Sequence, residues 1–134
     1  MTRGSLAVAL LLATAAASCG APRSASPANA GPVVVTFEVV DERFRALLTD
    51  PADIDSARRL LAGDDVPSIP NGHVLRETGV NTGYSWSMDP NDIEFADVTV
   101  EVCDGLPSDV EAGTIAGDRY CPWSATVVAI EPAP

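Results

Sequence analysis

The N-terminal segment constrains this chain more than any other feature, because it decides how much of the chain can fold and in which compartment. Residues Leu6 to Ala17 form an apolar run without a charge, and Arg3 precedes it. A bilayer-spanning helix needs about 20 apolar residues, so this shorter run is typical of a signal peptide. The alternative is a buried core helix. Removing residues 1–18 from a chain of 134 leaves room for one ordinary domain and excludes a multidomain enzyme.

The residues that follow the apolar run indicate a lipid anchor. The sequence Ala16-Ala17-Ser18-Cys19, with Leu12 before it, resembles a bacterial lipobox. In exported proteins with that motif the cysteine sulfur is acylated and the cysteine becomes the new N-terminus. We therefore expect a membrane-anchored lipoprotein of the cell envelope, lipidated at Cys19, with plain secretion as the alternative.

The next segment has the composition of a tether. Gly20 to Pro32 reads GAPRSASPANAGP and has no apolar side chain larger than alanine or proline, so it cannot form a core. A flexible coil of this length spans roughly 20 Å, enough to hold a domain just off a membrane. The sequence thus predicts a signal peptide over 1–18, a lipid-anchored tether over 19–32 and a single domain over 33–134.

The charge balance restricts the partners of that domain. The whole chain has 19 acidic residues, no lysine and a formal net charge of −11, and loss of Arg3 with the signal peptide makes it −12. A strongly negative surface repels phosphate backbones and anionic headgroups, so nucleic acid and polybasic membrane docking are not expected. Cationic partners and metal ions remain compatible with this charge.

The two cysteines beyond Cys19 predict a structural disulfide. In an oxidising compartment Cys103 and Cys121 have only each other to pair with. Closing a loop of this size contributes about 3 kcal/mol in the chain-entropy model. The alternative is a redox-active pair, which would ordinarily have C-x-x-C spacing.

Local patterns predict two helices. Asp50 before Pro51, with Asp53 in the first turn, is a strong N-terminal signal, and Gly63 suits the C-terminal cap. On this helix Ile54, Ala57, Leu60 and Leu61 form one apolar stripe. A second, short helix begins at Pro107 and ends near Gly113.

The strands are predicted from β-branched runs and from alternation. They comprise one long strand or two short ones over 33–48 with a bend near Asp41-Glu42, then 73–80, 95–103 and 124–130. In the third region, Ala96, Val98, Val100 and Val102 lie on one face, which is typical of a half-buried strand. Residues 64–72 and 81–92 are predicted to be irregular, the latter with a turn at Asp89-Pro90-Asn91-Asp92.

The order β-α-β-β-α-β predicts an α+β domain with a mostly antiparallel four-stranded sheet, one main helix and one short helix. This order matches a ferredoxin-like plan. A sheet covered by one main helix is the alternative.

Several motifs together resemble a known family. They are TDPADIDSARRLLAG, His73, WSMDPNDIEF, VEVCD and CPWS. The family is named for the N-terminal domain of a eukaryotic calmodulin-binding protein and includes many small exported bacterial proteins. The similarity runs from about Phe44 to Val127. Members typically have a longer segment between the first Trp-Ser and the Asp-Pro, and often a serine where this chain has Ala125.

The resemblance implies a disulfide-stapled α+β domain without a settled activity. Calmodulin targets are basic amphipathic helices. The helix over 51–62 has only Arg58 and Arg59 beside Asp53 and Asp55. We therefore expect no calmodulin partner.

Missing residue types exclude most chemistries. Without lysine there is no P-loop clamp, Schiff base or Ser-x-x-Lys acylation, and His73 alone cannot supply a two-histidine zinc site. The segment from Gly83 to Ser87 approaches a nucleophile elbow but has serine in place of the second glycine. Asp89, Asn91 and Asp92 lack EF-hand spacing, so an aspartate-capped turn is the preferred interpretation. The sequence predicts no cofactor and no metal site.

The tryptophans provide the last candidates for a binding surface. Trp123, two residues after Cys121, is expected to pack against the disulfide. Trp86 is expected in the core, with a ligand platform as the alternative. The predicted ligand surface therefore consists of His73, Tyr84, Trp86 and Asp89.

Three functions remain open from the sequence. The leading one is an exported lipoprotein whose small domain binds a ligand or an envelope or extracellular partner. The second is a small hydrolase that uses His73 with Ser85 or Ser87. The third is an inhibitor of extracellular proteases that presents the loop over 81–89.

Overall fold

The computed structural model describes residues 31–134. The predicted signal peptide, Cys19 and most of the predicted tether lie outside these residues. Within these residues, two α-helices and six strands follow one another: β1 Val33–Val39, β2 Glu42–Leu48, α1 Pro51–Leu61, β3 Ile69–Leu75, β4 Ser87–Ala96, α2 Pro107–Ala112, β5 Arg119–Tyr120 and β6 Thr126–Pro132. No helix within 31–134 is long and apolar enough to cross a bilayer.

The strands form two antiparallel three-stranded sheets, ordered β2-β1-β6 and β4-β3-β5. The domain is α+β as predicted, but the single four-stranded sheet of a ferredoxin-like plan was wrong. The first region is two strands, because Val39 pairs with Glu42 and closes a tight hairpin in which Val40 has a left-handed φ of 61°. In each sheet two strands that are consecutive in the chain pair with one another, β1 with β2 and β3 with β4, and buried apolar residues of both sheets share one core.

The helix α1 has the predicted start. The Asp50 carboxylate accepts hydrogen bonds from the backbone N–H groups of Ala52 at 2.8 Å and Asp53 at 3.4 Å. Burial, and then the charges of Asp50 and Glu94, raises the pKa of Asp53. Ionising Asp53 above that pKa therefore costs folding free energy, and this cost disappears as the pH falls below it.

The apolar stripe of α1 is buried only in its first half. Ile54 and Ala57 are buried, Leu60 is half-buried, and Leu61 is 46% exposed. Gly63 follows the C-cap Ala62 with a φ of +89°, which confirms the predicted helix end. The end of the helix thus leaves an apolar side chain on the surface.

The pair β3 and β4 differs from the prediction. β3 begins at Ile69 rather than His73 and includes Pro70, which had been assigned to a loop. The proline is tolerated because β5 pairs only with Gly72 and His73, so β3 has a partner on one side only at Pro70. The predicted turn at Asp89-Pro90-Asn91-Asp92 lies within β4 as a bulge, between the pairs Gly72–Ile93 and Val74–Met88.

The predicted strand over 95–103 was also wrong. β4 ends at Ala96, residues 97–100 have no regular structure, and Glu101–Cys103 forms one turn of 3₁₀-helix. Alternating valines stabilise a strand only when another strand pairs with it, and none of the described strands does so here. The valines of this segment consequently face solvent.

Aromatic rings from both sheets fill the centre of the core. The Phe44 ring centroid lies 5.7 Å from Trp86 and 5.4 Å from Tyr120, and Trp86 lies 5.4 Å from Tyr120. Burial is the main cause that raises the pKa of the Tyr120 hydroxyl. Asn81 is fully buried and accepts a hydrogen bond from the Arg45 backbone N–H and donates one to the Trp86 carbonyl, both at 2.9 Å. It therefore links β2 to the segment that carries Trp86.

Candidate functional site

Four exposed apolar side chains lie beside the disulfide. Val98 is 82% exposed, Val100 67%, Val102 64% and Trp123 46%, and we call them the valine–tryptophan patch. Single exposed apolar residues are ordinary on a protein surface, whereas clustered ones mark interaction sites. These residues are joined by two grooves that share Val98. The patch is therefore the main candidate for a binding surface.

The three valines of the patch belong to a segment that pairs with none of the described strands and is fixed at its C-terminal end. The predicted disulfide between Cys103 and Cys121 is confirmed, with Cα atoms 5.1 Å apart, and the Cys121 N–H donates to the Cys103 carbonyl at 2.8 Å. Both cysteines are buried. The disulfide thus fixes the end of the valine segment to the start of the segment that carries Trp123.

Hydrogen bonds from Trp123 hold the other side of the patch. Its indole Nε1–H donates to the Thr99 hydroxyl at 2.6 Å, and its backbone N–H donates to the Asp104 carboxylate at 2.8 Å. The ring therefore stays beside the valines with part of its surface in water. An aromatic side chain oriented in this way is a rigid apolar contact, because little side-chain entropy is left to lose on binding.

The two grooves have the size of ligand or side-chain pockets. One has a volume of about 450 Å³ and runs from Asn71 and Ala96 along the three valines. The other, of about 360 Å³, lies between Ile69, Val98 and Trp123. Pockets for small ligands commonly measure about 300–1,000 Å³. The patch can therefore accept side chains inserted from a partner, and not only flat contact.

The rim of the patch is acidic. Glu94 and Asp97 line the grooves, Glu101 stands between Val100 and Val102, and all three are exposed and without an ion pair to a described residue. The one arginine in the lining of the two grooves, Arg119, is held by Asp92 at 2.8 Å. The electrostatic field over the patch therefore attracts positive charge.

The four residues of the predicted ligand surface do not line either groove. Trp86 is fully buried, which agrees with the core interpretation and removes its ring as a ligand platform. Tyr84 is half-buried against Trp86, at 5.6 Å between centroids, and burial followed by the Glu42 carboxylate raises its pKa.

The other two predicted residues have partners of their own. The His73 Nδ1 lies 3.3 Å from an Asp118 carboxylate oxygen on the edge of the larger groove. Asp89 sits in the bulge of β4 and accepts from the backbone N–H of Asn91 at 2.9 Å, as in an aspartate-capped turn. His73 is thus near the patch, while Asp89 serves the local backbone.

The serines of the hydrolase hypothesis are bound elsewhere. The Ser85 hydroxyl and N–H both donate to Glu111, at 3.0 and 2.9 Å, and Ser87 is buried. Within the described part of the chain, His73 forms no hydrogen bond with either serine. The same region contains no group of three or more His, Cys, Asp or Glu side chains that could hold a metal ion.

The loop of the inhibitor hypothesis is anchored in the core. Its first residue, Asn81, and its later residues Trp86, Ser87 and Met88 are buried. The stretch 82–85 and Asp89 reach the surface, and Tyr84 and Asp89 are themselves half-buried. A protease inhibitor presents an extended exposed segment, and little of this loop is available for that.

The valine–tryptophan patch was missed at the level of sequence. The alternation at residues 96–102 did place the three valines on a common face, but that face was assigned to the core. Trp123 was expected to be buried in the core against the disulfide and is instead 46% exposed, so the expected burial was wrong. The local sequence of these residues does not indicate whether a strand pairs with them, and in the described structure none does.

Comparison with known proteins gives a family and no closer relative. The family model described as the BP-74 N-terminal domain matches residues 31–134, which includes every described element. No curated protein and no solved structure matches the chain. The match covers most of the chain and agrees with the resemblance seen in its motifs. The chain therefore belongs to the BP-74 N-terminal domain family.

Proposed function

We propose that this chain is an envelope lipoprotein whose domain binds a partner protein with a basic and apolar surface through the valine–tryptophan patch. The observation that carries the proposal is the cluster of four exposed apolar side chains on two segments that a disulfide joins. Burying apolar surface lowers the free energy by about 25 cal/mol for each Å² removed from water, and these exposed side chains do not gain it. Contact with a partner would recover this free energy.

Charge decides the chemistry of the partner. The patch is rimmed by Glu94, Asp97 and Glu101, and the whole chain has a net charge of −11. An acidic partner would be repelled, and so would nucleic acid. Arginine or lysine side chains around an apolar contact would be attracted, and their effect would fall chiefly on the association rate and on its dependence on salt.

The proposed location rests on the N-terminal residues and on the disulfide. The lipobox-like sequence ending at Cys19 supports acylation, and the composition of 20–32 supports a tether between the lipid and β1. A buried disulfide is in keeping with an oxidising compartment outside the cytosol. The tether would allow the patch to reach a neighbouring envelope or extracellular protein.

Exchanging valines for serines in the patch should abolish partner binding. The full chain is crosslinked gently in intact cells and recovered from detergent-solubilised envelope, as wild type and as V98S/V100S. Val40 is a matched control, because it is a valine 70% exposed on the β1–β2 turn, outside the patch. We expect the patch variant to lose at least tenfold of a specific crosslink that wild type and V40S retain, and salt to weaken the same crosslink.

The result can contradict the proposal in two ways. Equal recovery of the partner by V98S/V100S would remove the patch from the interface. A partner whose crosslinking rises with salt, or whose contact surface is acidic, would refute the argument from charge.

The lipid anchor makes a separate prediction. Mass spectrometry of the native protein should find Cys19 as an acylated N-terminus. In a C19A variant, the chain should move from the membrane fraction to the soluble fraction, since one lipid-modified cysteine is the proposed anchor. An intact residue 1–18 segment in the native protein, or an unmodified Cys19 on membrane-bound protein, would contradict the proposed location and leave the test of the patch unaffected.

A further inference from the structure

A third groove lies at the β6 edge of sheet β2-β1-β6, between the end of α1 and strand β6. Its volume is about 740 Å³, larger than either groove beside the patch. Its walls are mostly apolar and include Val33, Leu61 and Ile130, with Pro32 and Pro132 at one end. Leu61 is 46% exposed there, so the groove presents apolar surface to water.

One cation, Arg58, lines this groove, and no described residue pairs with it. Within 31–134, Arg43, Arg45, Arg59 and Arg119 form ion pairs with carboxylates and Arg76 donates to the Val110 carbonyl, whereas Arg58 has neither an ion pair nor a side-chain hydrogen bond. All 19 acidic residues of the chain lie within 31–134, so residues 1–30 contain no carboxylate side chain for it either. In so acidic a chain, an arginine without an ion pair stands out.

The one acidic residue in the lining does not cancel this charge. Glu131 is already bound by Arg45, whose Nη2 lies 2.7 Å from its carboxylate. A guanidinium prefers planar anions, and a carboxylate can accept two parallel hydrogen bonds from it. The groove thus combines an available anion-binding group with an apolar channel, which is the recognition chemistry of an amphiphilic anion.

We propose that this groove binds one linear carboxylate amphiphile, of the fatty-acid class, with its carboxylate on Arg58 and its hydrocarbon chain along Leu61 and Ile130. The volume lies within the range of small-ligand pockets. The groove also lies where the chain enters the domain, since Gly31 and Pro32 form part of its wall. This site is separate from the valine–tryptophan patch, and the inference does not depend on the proposed function.

Titration with decanoate, below its micellar concentration, tests the proposal. The protein is the full chain carrying C19A, so that no detergent competes, and the heat of binding is measured by calorimetry. We expect one saturable site. R58Q should weaken decanoate binding at least tenfold, and R59Q should leave it unchanged, because Arg59 is paired with Asp64 and lies outside the groove. Ala62→Trp should block the groove, since Ala62 lines it and is exposed.

Neutral and phospholipid probes distinguish the other occupants. Decanol should bind at least tenfold more weakly than decanoate and equally to wild type and R58Q. Saturable decanoate binding with these differences supports the site. No saturable binding, equal affinities of wild type and R58Q, or decanol binding as tightly as decanoate would overturn it. Tighter binding of dihexanoylphosphatidylglycerol than of decanoate would overturn the proposal in favour of a phospholipid. Binding of decanoate by C19A but not by the lipidated native chain would overturn it in favour of the chain's own acyl group.

Discussion

Replacing Trp86 with alanine is expected to lower the free energy of unfolding by about 3–5 kcal/mol, the usual cost of truncating a large aromatic side chain in a core. Trp86 is fully buried and contacts Phe44 and Tyr120, which come from opposite sheets. Its removal leaves a cavity where the sheets meet. Urea unfolding followed by circular dichroism measures the change, and a domain of this size has only about 5–15 kcal/mol in total.

The matched variant is Trp86→Phe. The Trp86 Nε1–H is buried and has no hydrogen-bond partner among the described residues, so it carries an uncompensated desolvation cost. Phenylalanine removes this group and retains much of the apolar contact. We therefore expect W86F to lose much less stability than W86A and to fold even if W86A does not. Equal losses in the two variants would show that the aromatic contacts are not what Trp86 contributes.

Replacing Cys103 and Cys121 together with serine is expected to cost about 3 kcal/mol, mainly because the unfolded chain regains the entropy that the closed loop removes. The sequence separation of the cysteines is 18 residues, and both are buried. Unfolding of wild type in the presence of a thiol reductant should show a similar loss. An unchanged free energy of unfolding would contradict the role of the disulfide.

The same double variant should also loosen the valine–tryptophan patch. Glu101 lies within the clamped segment and is a cleavage site for a glutamate-specific protease, whereas Glu38 on β1 lies inside a paired strand. We expect cleavage after Glu101 in the double variant under native conditions that leave wild type intact, with Glu38 protected in both. If the two proteins resist cleavage equally, then the disulfide is not what holds the patch in place.

The paired cysteines and the first helix were predictable because few alternatives existed for them. Once Cys19 is assigned to a lipid, Cys103 and Cys121 have one possible pairing. The start of α1 depends on Asp50, Pro51 and the two N–H groups that follow, all within one helical turn. A feature whose interacting residues lie within a few positions of one another can be predicted from the local sequence.

The strands were predicted less well because each needs a partner distant in sequence. The segment over 97–102 has the alternation of a strand and none of the pairing, and Pro70 and Asn71-Gly72 have the composition of a loop but lie in β3. An alternating pattern predicts which side chains share a face of a segment, but not whether the segment pairs with another strand. Whether another strand lies alongside depends on how the rest of the chain is arranged.

The sequence by itself determined the acidic charge, the absence of lysine chemistry, the disulfide partners and the bounds of α1. Tertiary structure alone decided that Trp86 is buried while Trp123 and the three valines are exposed, and that Arg58 faces a groove where no described carboxylate pairs with it. The reason is physical: composition and caps are properties of a residue and its near neighbours. Burial and the availability of a charge depend on what distant segments place opposite it.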